Sequence, residues 1–279
     1  MEVSSSGYYA WRKRLTIPPK PRRKTLAQLV KNCYWENRRR YGVRRIKAAL
    51  NKAGVQIGKF QVRQLMKEEG LKAIQPKSFV PKTTDSRGVK ASPNLLKDIR
   101  IEECAPTKII IGDITYIPLQ DGSWCYLAIW QDKVTRRIIG WSLAPEMTAE
   151  LVISALAKAI SKGLVKAGAI IHSDRGSQYA SNGFRELLRK SGFRQSMSGK
   201  GNCYDNAQAE SFFSRFKTEL IEGGVFEDIE VARLEIFSYI EGYYNRVRLH
   251  SSLGYKSPLE FELELKIKNG GKIESFLSI

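Results

Sequence analysis

The chain has little cysteine and histidine, and it lacks a long apolar run. Its four cysteines (Cys33, Cys104, Cys125 and Cys203) form no CxxC pair, and there are only two histidines among 279 residues. That composition excludes a zinc finger and argues against a disulfide scaffold. The sequence contains no run of 18 apolar residues, so it predicts no transmembrane helix. The first residues also lack the apolar core of a signal peptide. We therefore expect a reduced, cytoplasmic protein with no membrane partner.

The charge is unevenly distributed along the chain. Lys and Arg number 47 against 28 Asp and Glu, which gives a formal net charge of +19. Residues 1–100 hold 25 basic and 6 acidic side chains, whereas residues 101–279 hold 22 of each. The excess therefore lies entirely in the first third, which favours a polyanion-binding arm joined to a neutral body. A basic surface that only aids solubility is the alternative.

Two short helical patterns lie in this basic arm. Residues 44–52 and 60–69 each place apolar side chains on one face, and Gly54 ends the first pattern. Two short helices around a glycine turn predict a DNA-binding helix-turn-helix, with an ordinary helical hairpin as the alternative. Pro18, Pro19 and Pro21 are expected to break any helix before it. The side chains predicted to contact DNA from this arm are Arg44, Arg45, Gln61, Arg63, Gln64 and Lys67.

The pattern of the remaining chain predicts an α/β domain. Proline-rich residues 73–98 are expected to be a linker between an arm of residues 1–72 and a core of residues 99–265, with a tail over 266–279. Three successive strands are predicted over residues 108–117, 124–131 and 136–143, which suggests an antiparallel meander. Helices and strands then alternate, and a helical region that includes residues 205–220 and 231–244 follows. This order predicts a mixed sheet flanked by helices.

Three acidic residues stand out within the predicted core. Asp113 interrupts an apolar strand, where a buried charge is costly unless it is paired or bound to a metal. Asp174 ends a second strand and enters a glycine turn, a usual ligand position in α/β proteins. Glu210 lies on a helix, beside its apolar stripe. Taken singly, each has a structural alternative: a capped strand-end aspartate, a turn aspartate and a solvated surface glutamate.

The combination of the three carboxylates points to phosphoryl transfer. Sixty residues separate Asp113 from Asp174, and 35 separate Asp174 from Glu210. Mg²⁺ takes oxygen ligands from a few carboxylates and completes its shell with water and phosphate. Two such ions about 4 Å apart activate a nucleophile and stabilise a leaving oxygen.

Several longer motifs resemble the catalytic core of bacterial insertion-sequence transposases. The resemblance is to the retroviral-integrase-like group with a D, D-35-E triad, and more narrowly to the second-frame product of the insertion sequence 3 family. It covers nearly the whole chain, including the basic arm. The motifs that carry it are IGDITYI (111–117), RRIIGW (136–141), HSDRGSQY (172–179), SMSGKGNCYDNA (196–207), ESFF (210–213), YYNR (243–246) and RLHSSLGY (248–255).

The resemblance implies a fold, an activity and a set of site residues. It implies a ribonuclease-H-like core and DNA strand cleavage and joining that depend on Mg²⁺ or Mn²⁺, with two ions held by Asp113, Asp174 and Glu210. Further contacts to DNA are expected from Lys200, Asn206, Lys217 and Arg246. His172 either orients the site or is a satisfied core histidine.

Partners are also implied by the resemblance. They are double-stranded DNA (element ends and target), further copies of the chain assembled on DNA, and the product of an upstream frame that supplies a leucine zipper in this family. A bacterial, nucleoid-associated location follows. Two other functions stay open at the level of sequence: a catalytically silent DNA-binding remnant, which the intact triad argues against, and a ribonuclease-H-type nuclease that cuts without joining.

Overall fold

The computed structural model describes residues 4–16, 21–75, 92–97, 99–101, 104–199, 207–222 and 224–268. The chain forms two compact units, residues 1–75 and 76–279. Within the described ranges, no helix has both the length and the hydropathy that crossing a bilayer requires.

The first unit is helical. Its helices are α1 (Ser5–Thr16), α2 (Pro21–Glu36), α3 (Val43–Lys52) and α4 (Lys59–Glu68). Helix α1 ends before the prolines of the arm and α2 begins at Pro21, so no described helix continues through Pro21, while Pro18 and Pro19 lie outside the described residues. Proline is well tolerated at the first helical position, where its missing N–H would have no intrahelical partner.

Helices α2, α3 and α4 share one small apolar core. Val30 from α2, Ile46 from α3 and Val62 from α4 are fully buried in it. Gly54 adopts a φ of +83° after α3, a conformation that favours glycine, and so turns the chain toward α4. The predicted pair of helices around a glycine turn is therefore present.

The second unit is built on a five-stranded sheet. Its elements, in chain order, are β1 (Ile109–Pro118), β2 (Trp124–Asp132), β3 (Ile138–Ala144), α5 (Ala149–Ser161), β4 (Ile170–Ser173), α6 (Ser177–Ala180), α7 (Asn182–Lys190), β5 (Arg194–Met197), α8 (Ala207–Phe216), α9 (Ile229–Phe237) and α10 (Pro258–Lys268). The strand order is β3-β2-β1-β4-β5. Strands β1, β2 and β3 are antiparallel, whereas β4 pairs in parallel with both β1 and β5. The predicted meander and mixed sheet are confirmed.

Each face of the sheet buries its own apolar cluster. The first cluster packs α5, α6 and α7 against one face, around Trp130, Val152 and Phe184. The second cluster packs α8 and α9 against the other face, around Ile129, Phe212 and Ile236. Because both faces are covered, β1 runs through the middle of the core.

Several boundaries differ from the sequence expectation for local reasons. Arg136 and Gly168 have positive φ values of 62° and 69°, so β3 and β4 begin after these turns. A single helix is predicted over residues 205–220, but the observed helix α8 ends at Phe216 and a π-helical turn follows at Lys217–Ile221. Helix α9 likewise continues into a π-helical turn at Ser238–Tyr244. Wider turns of this kind often occur at functional positions.

Candidate active site

Asp113 lies on β1 just beyond the pairing of β1 with β4. Strand β4 pairs with Ile109–Ile111 of β1, and in the described part of the chain no strand pairs with β1 beside Asp113 on that edge. The Ile114 backbone N–H donates to Asp113 Oδ1 over 2.9 Å. The carboxyl is thus held on β1 at the point where the pairing with β4 ends.

Asp174 follows the last residue of β4. The Gly176 N–H donates to Asp174 Oδ1 over 2.9 Å, which fixes the carboxylate at the carboxyl end of the strand. A Cβ built on Gly176 would lie 3.1 Å from that oxygen and 3.4 Å from Cδ2 of Tyr179. Glycine therefore leaves room for the carboxylate beside the Tyr179 ring.

Glu210 is exposed in the first turn of α8, a helix that packs on β1. The negative charge of Glu210 raises the pKa of the Asp113 carboxyl. Burial raises the pKa of Asp113 well above its ordinary value, and the negative charges of Asp174 and then Glu210 raise it further. Asp113 therefore interacts electrostatically with each of the other two carboxylates of the D, D-35-E pattern.

Lys217 provides a positive charge beside this group. Its Nζ lies 3.8 Å from the centroid of the Tyr116 ring, a close cation–π contact. Burial lowers the pKa of Lys217, and the charge of Asp113 opposes that change. An aromatic ring on β1 therefore holds the ammonium near the carboxyl of Asp113.

The donor set suits a hard divalent cation. In the part of the chain that the structure describes, no three His, Cys, Asp or Glu side chains gather around a single point as ligands of one ion. Mg²⁺ commonly takes only one or two carboxylates and fills its other positions with water and phosphate. The neighbouring carboxyls of Asp113 and Asp174 meet that requirement, and the mutual repulsion that raises the pKa of Asp113 is the kind that a cation relieves.

His172 turns out to be a satisfied core histidine. Its two ring nitrogens lie 2.8 Å from Ser196 Oγ and 3.1 Å from Ser198 Oγ, and the residue is fully buried. These bonds tie β4 to the end of β5, which supports the strand that carries Asp174.

The predicted DNA-contacting residues of the arm occupy several environments. Arg44 on α3 is exposed, as are Arg63, Gln64 and Lys67 on α4, whereas Gln61 is partly buried. Arg45 is also partly buried, since its guanidinium donates to the Arg40 carbonyl and lies over the Tyr41 ring. Four of the six side chains thus face solvent.

The remaining predicted contacts belong to the second unit. Lys200 and Asn206 lie outside the described residues. Arg246 is exposed in the turn after Tyr244. Three residues that sequence reasoning did not single out lie beside the site or brace its helix, namely Tyr179, Glu219 and Arg248. The signals for them were the positions of Tyr179 within the HSDRGSQY motif and of Arg248 within the RLHSSLGY motif, whereas Glu219 lies in none of the quoted motifs.

Models of known protein families match most of the chain. The model described as "Integrase core domain" matches residues 104–203, and a second model with the same description matches residues 191–258. A model described as "HTH-like domain" matches residues 21–79. The two units therefore correspond to an integrase core and a helix-turn-helix-like domain.

Curated proteins match nearly end to end. The chain is 41% identical over 241 residues to the "Transposase for insertion sequence element IS904" of Lactococcus lactis, covering 86% of this chain and 94% of the relative. It is 37% identical over 269 residues to "Transposase InsF for insertion sequence IS3A" of Escherichia coli, covering 94% and 91%. Among solved structures, that of a simian T-cell lymphotropic virus intasome aligns with a TM-score of 0.48 at 16% identity, covering 84% of this chain and 72% of that one.

Proposed function

The chain belongs to the insertion sequence 3 family of transposases, and from this premise we propose that it cleaves DNA strands at insertion-sequence ends and transfers them to target DNA. One observation carries the proposal. Asp113 on β1 interacts electrostatically with both Asp174, which follows β4, and Glu210 on α8, the helix that packs against β1, and this supports the proposal.

We assign Asp113, Asp174 and Glu210 as the ligands of Mg²⁺ or Mn²⁺, with two ions in the working site. Bound there, the ions would activate the attacking oxygen and neutralise the leaving one. Asp113 is central, because it interacts with both of the other carboxylates. The hydrogen bonds from the Ile114 and Gly176 N–H groups hold two of these ligands in place before a cation arrives.

Basic side chains are proposed to hold the DNA. Lys217, fixed over Tyr116, would contact a phosphate close to the scissile bond. We keep Lys200, Asn206 and Arg246 as further contacts in this unit. Arg44, Arg45, Gln61, Arg63, Gln64 and Lys67 are proposed to bind the element end, with base readout from α4. The exposed side chains among them are those best placed to reach a groove.

The working assembly is proposed to contain more than one copy of the chain. We expect a homo-oligomer on DNA, as the resemblance to insertion-sequence transposases implies. The upstream-frame product is proposed as an additional partner.

Strand transfer from a labelled, pre-cut element end in the presence of Mg²⁺ tests the proposal. We expect the wild-type chain to join the end to target DNA. Glu210→Gln removes the charge and keeps the shape of an exposed side chain, so this variant should fold and bind DNA but join nothing. Glu222→Gln, at an exposed residue beyond the following π-helical turn, is the matched control and should retain activity.

The outcomes separate the possible functions. A wild-type chain that stays inactive even with the upstream-frame product, yet binds ends tightly without metal, would be a DNA-binding remnant. Cutting without any joining would instead indicate a nuclease.

A further inference from the structure

Phe60 is a large apolar side chain that the fold leaves in solvent. It lies in the first turn of α4 and is 78% exposed. The apolar residues that pack α4 into the first unit are Val62, Leu65 and Met66, and each of them is buried. Because the packing of α4 does not use the Phe60 ring, the presence of phenylalanine at this position needs another explanation.

Phe60 shares one face of α4 with three exposed polar side chains. Arg63, Gln64 and Lys67 follow it at spacings of three, four and seven residues, which places the four side chains along one side of the helix. Helix α4 follows the Gly54 turn, so it is the second helix of the pair. In a helix-turn-helix, this helix lies in the major groove, and its N-terminal residues contact base edges. Phe60 occupies that N-terminal end.

The charges on α4 favour a polyanionic partner for this face. The first turn of the helix contains no acidic side chain. The two acidic residues at its C-terminal end are bound by α2, since Arg23 Nη2 lies 2.6 Å from Glu68 Oε1 and Lys31 Nζ lies 2.6 Å from Glu69 Oε2. These ion pairs neutralise both carboxylates, so the solvent-facing side of α4 carries positive charge. An aromatic ring within such a face suits the apolar part of a DNA groove.

We propose that Phe60 is a specificity-determining residue of the arm, and that its ring packs against the C5-methyl group of a thymine in the major groove of the element end. This inference rests on the proposed function. The thymine methyl is the apolar group on the major-groove edges of the base pairs, and phenylalanine is among the side chains that contact it. The contact would remove both the ring and the methyl group from water, and so would favour a T·A pair at one position.

Replacing single thymines by uracil tests the contact, because uracil lacks only the methyl group. The probe is a duplex with the terminal repeat of the insertion sequence that encodes this chain, and binding is measured with the full chain at constant salt without divalent metal. We expect one such replacement to weaken binding by wild type about fourfold, as for one methyl group left in water. Phe60→Ala should bind the unmodified duplex about three- to tenfold more weakly and should not distinguish uracil from thymine at that position.

Leu234→Ala is the matched control. Leu234 is 70% exposed on α9 of the second unit, so this variant also removes an exposed apolar side chain. It should keep both the affinity and the preference for thymine. The melting temperature of Phe60→Ala should equal that of wild type, and its affinity for a duplex of scrambled sequence should be unchanged because the phosphate contacts remain. A merely structural role for Phe60 would instead lower the melting temperature and the affinity for both duplexes.

Three results would overturn the inference. They are a wild type that is insensitive to uracil at every thymine, a uracil effect that persists in Phe60→Ala, and a Phe60→Ala variant that loses affinity equally for the element end and for scrambled DNA. The last result would indicate a contact without sequence preference, such as insertion of the ring between base steps. Each of them leaves the proposed function standing if wild type joins DNA. A wild type that prefers thymine through Phe60 but never joins DNA would overturn the function and support the contact.

Discussion

The indole ring of Trp130 occupies the space that a side chain on Gly112 would need. These residues face each other across β1 and β2, and a Cβ on Gly112 would overlap with Cζ3 of the Trp130 indole. The indole cannot easily withdraw, because its Nε1 donates to the Val152 carbonyl and its ring stacks on Phe184. The residue directly before Asp113 is thus glycine for a packing reason that also affects the candidate site.

Gly112→Ala should therefore destabilise the chain and reduce its activity. We expect the free energy of unfolding to fall by about 1–3 kcal/mol, as in other overpacked cores, and strand transfer to fall with it because Asp113 is displaced. Urea unfolding measures the first effect. Gly242→Ala, where the added Cβ meets nothing within 4 Å, is the control and should be close to neutral. Equal losses in the two variants would show that the Trp130 contact is not the cause.

Asp113→Asn should stabilise the metal-free chain while abolishing activity. Folding without metal raises the pKa of Asp113 above its ordinary value near 3.8, so the folded chain resists ionisation of this carboxyl. The contribution of protonated Asp113 to the free energy of unfolding is therefore fully present below about pH 4, and it is lost as the pH rises through the pKa that this carboxyl has in the folded chain. We expect the variant to melt above wild type at pH 7.5, and the difference to vanish near pH 4. Mn²⁺ should raise the melting temperature of wild type more than that of the variant.

Asp132→Asn provides the contrast for that experiment. Burial also raises the pKa of Asp132, but its carboxylate accepts hydrogen bonds from the Thr107 and Thr135 N–H groups. An amide cannot replace both acceptor oxygens, so this variant should melt below wild type at pH 7.5. A higher melting temperature for Asp132→Asn than for Asp113→Asn would contradict the electrostatic explanation of the site.

Much of the fold could be predicted because the signals were local. Apolar alternation revealed the three antiparallel strands, and the position of Asp174 after an apolar strand placed it at a ligand-binding end of the sheet. Asp113 could be singled out because burying a carboxylate inside an apolar strand is costly unless the charge is paired or bound to a metal. The motifs then connected these two residues to Glu210.

Other features depend on contacts that no local pattern encodes. Pro21 has the same sequence signature whether it breaks a helix or begins one. The burial of Tyr179 depends on its ring contacts with Trp130 and Phe184, which are distant in sequence or on another element. The π-helical turn at Lys217 follows a regular helical pattern, and its inward-facing Glu219 is matched by an arginine much later in the chain.

Removing one partner of that buried ion pair should destabilise the chain strongly. Arg248 donates from Nε over 2.9 Å and from Nη2 over 2.7 Å to the two carboxylate oxygens of Glu219, and both side chains are 4% exposed. Arg248→Met should cost about 3–5 kcal/mol, because it leaves an uncompensated buried carboxylate. The double variant Glu219→Gln, Arg248→Met should recover much of that loss. Urea unfolding of the two single variants and the double variant gives the coupling energy.

The exposed pair Arg189–Glu186 is the control for this double-mutant cycle. Its side chains are 72% and 44% exposed, so solvent screens the interaction. Arg189→Met should cost less than about 1 kcal/mol. If breaking the buried pair cost no more than breaking this one, Glu219 and Arg248 would not brace the turn that carries Lys217.

DNA binding by the arm should weaken steeply as salt is added. The net charge of the first hundred residues is far from zero, and each phosphate contact releases condensed counterions when it forms. Lys67→Ala and Arg63→Ala, both at exposed positions on α4, should each reduce the slope of log affinity against log salt by about 0.9 if the residue contacts one phosphate. Arg189→Ala, an exposed charge on α7 of the second unit, should leave the slope unchanged. An arm residue that reads a base edge would instead lose affinity mainly for the cognate element end, and a flat salt response in wild type would rule out the arm as the polyanion-binding surface.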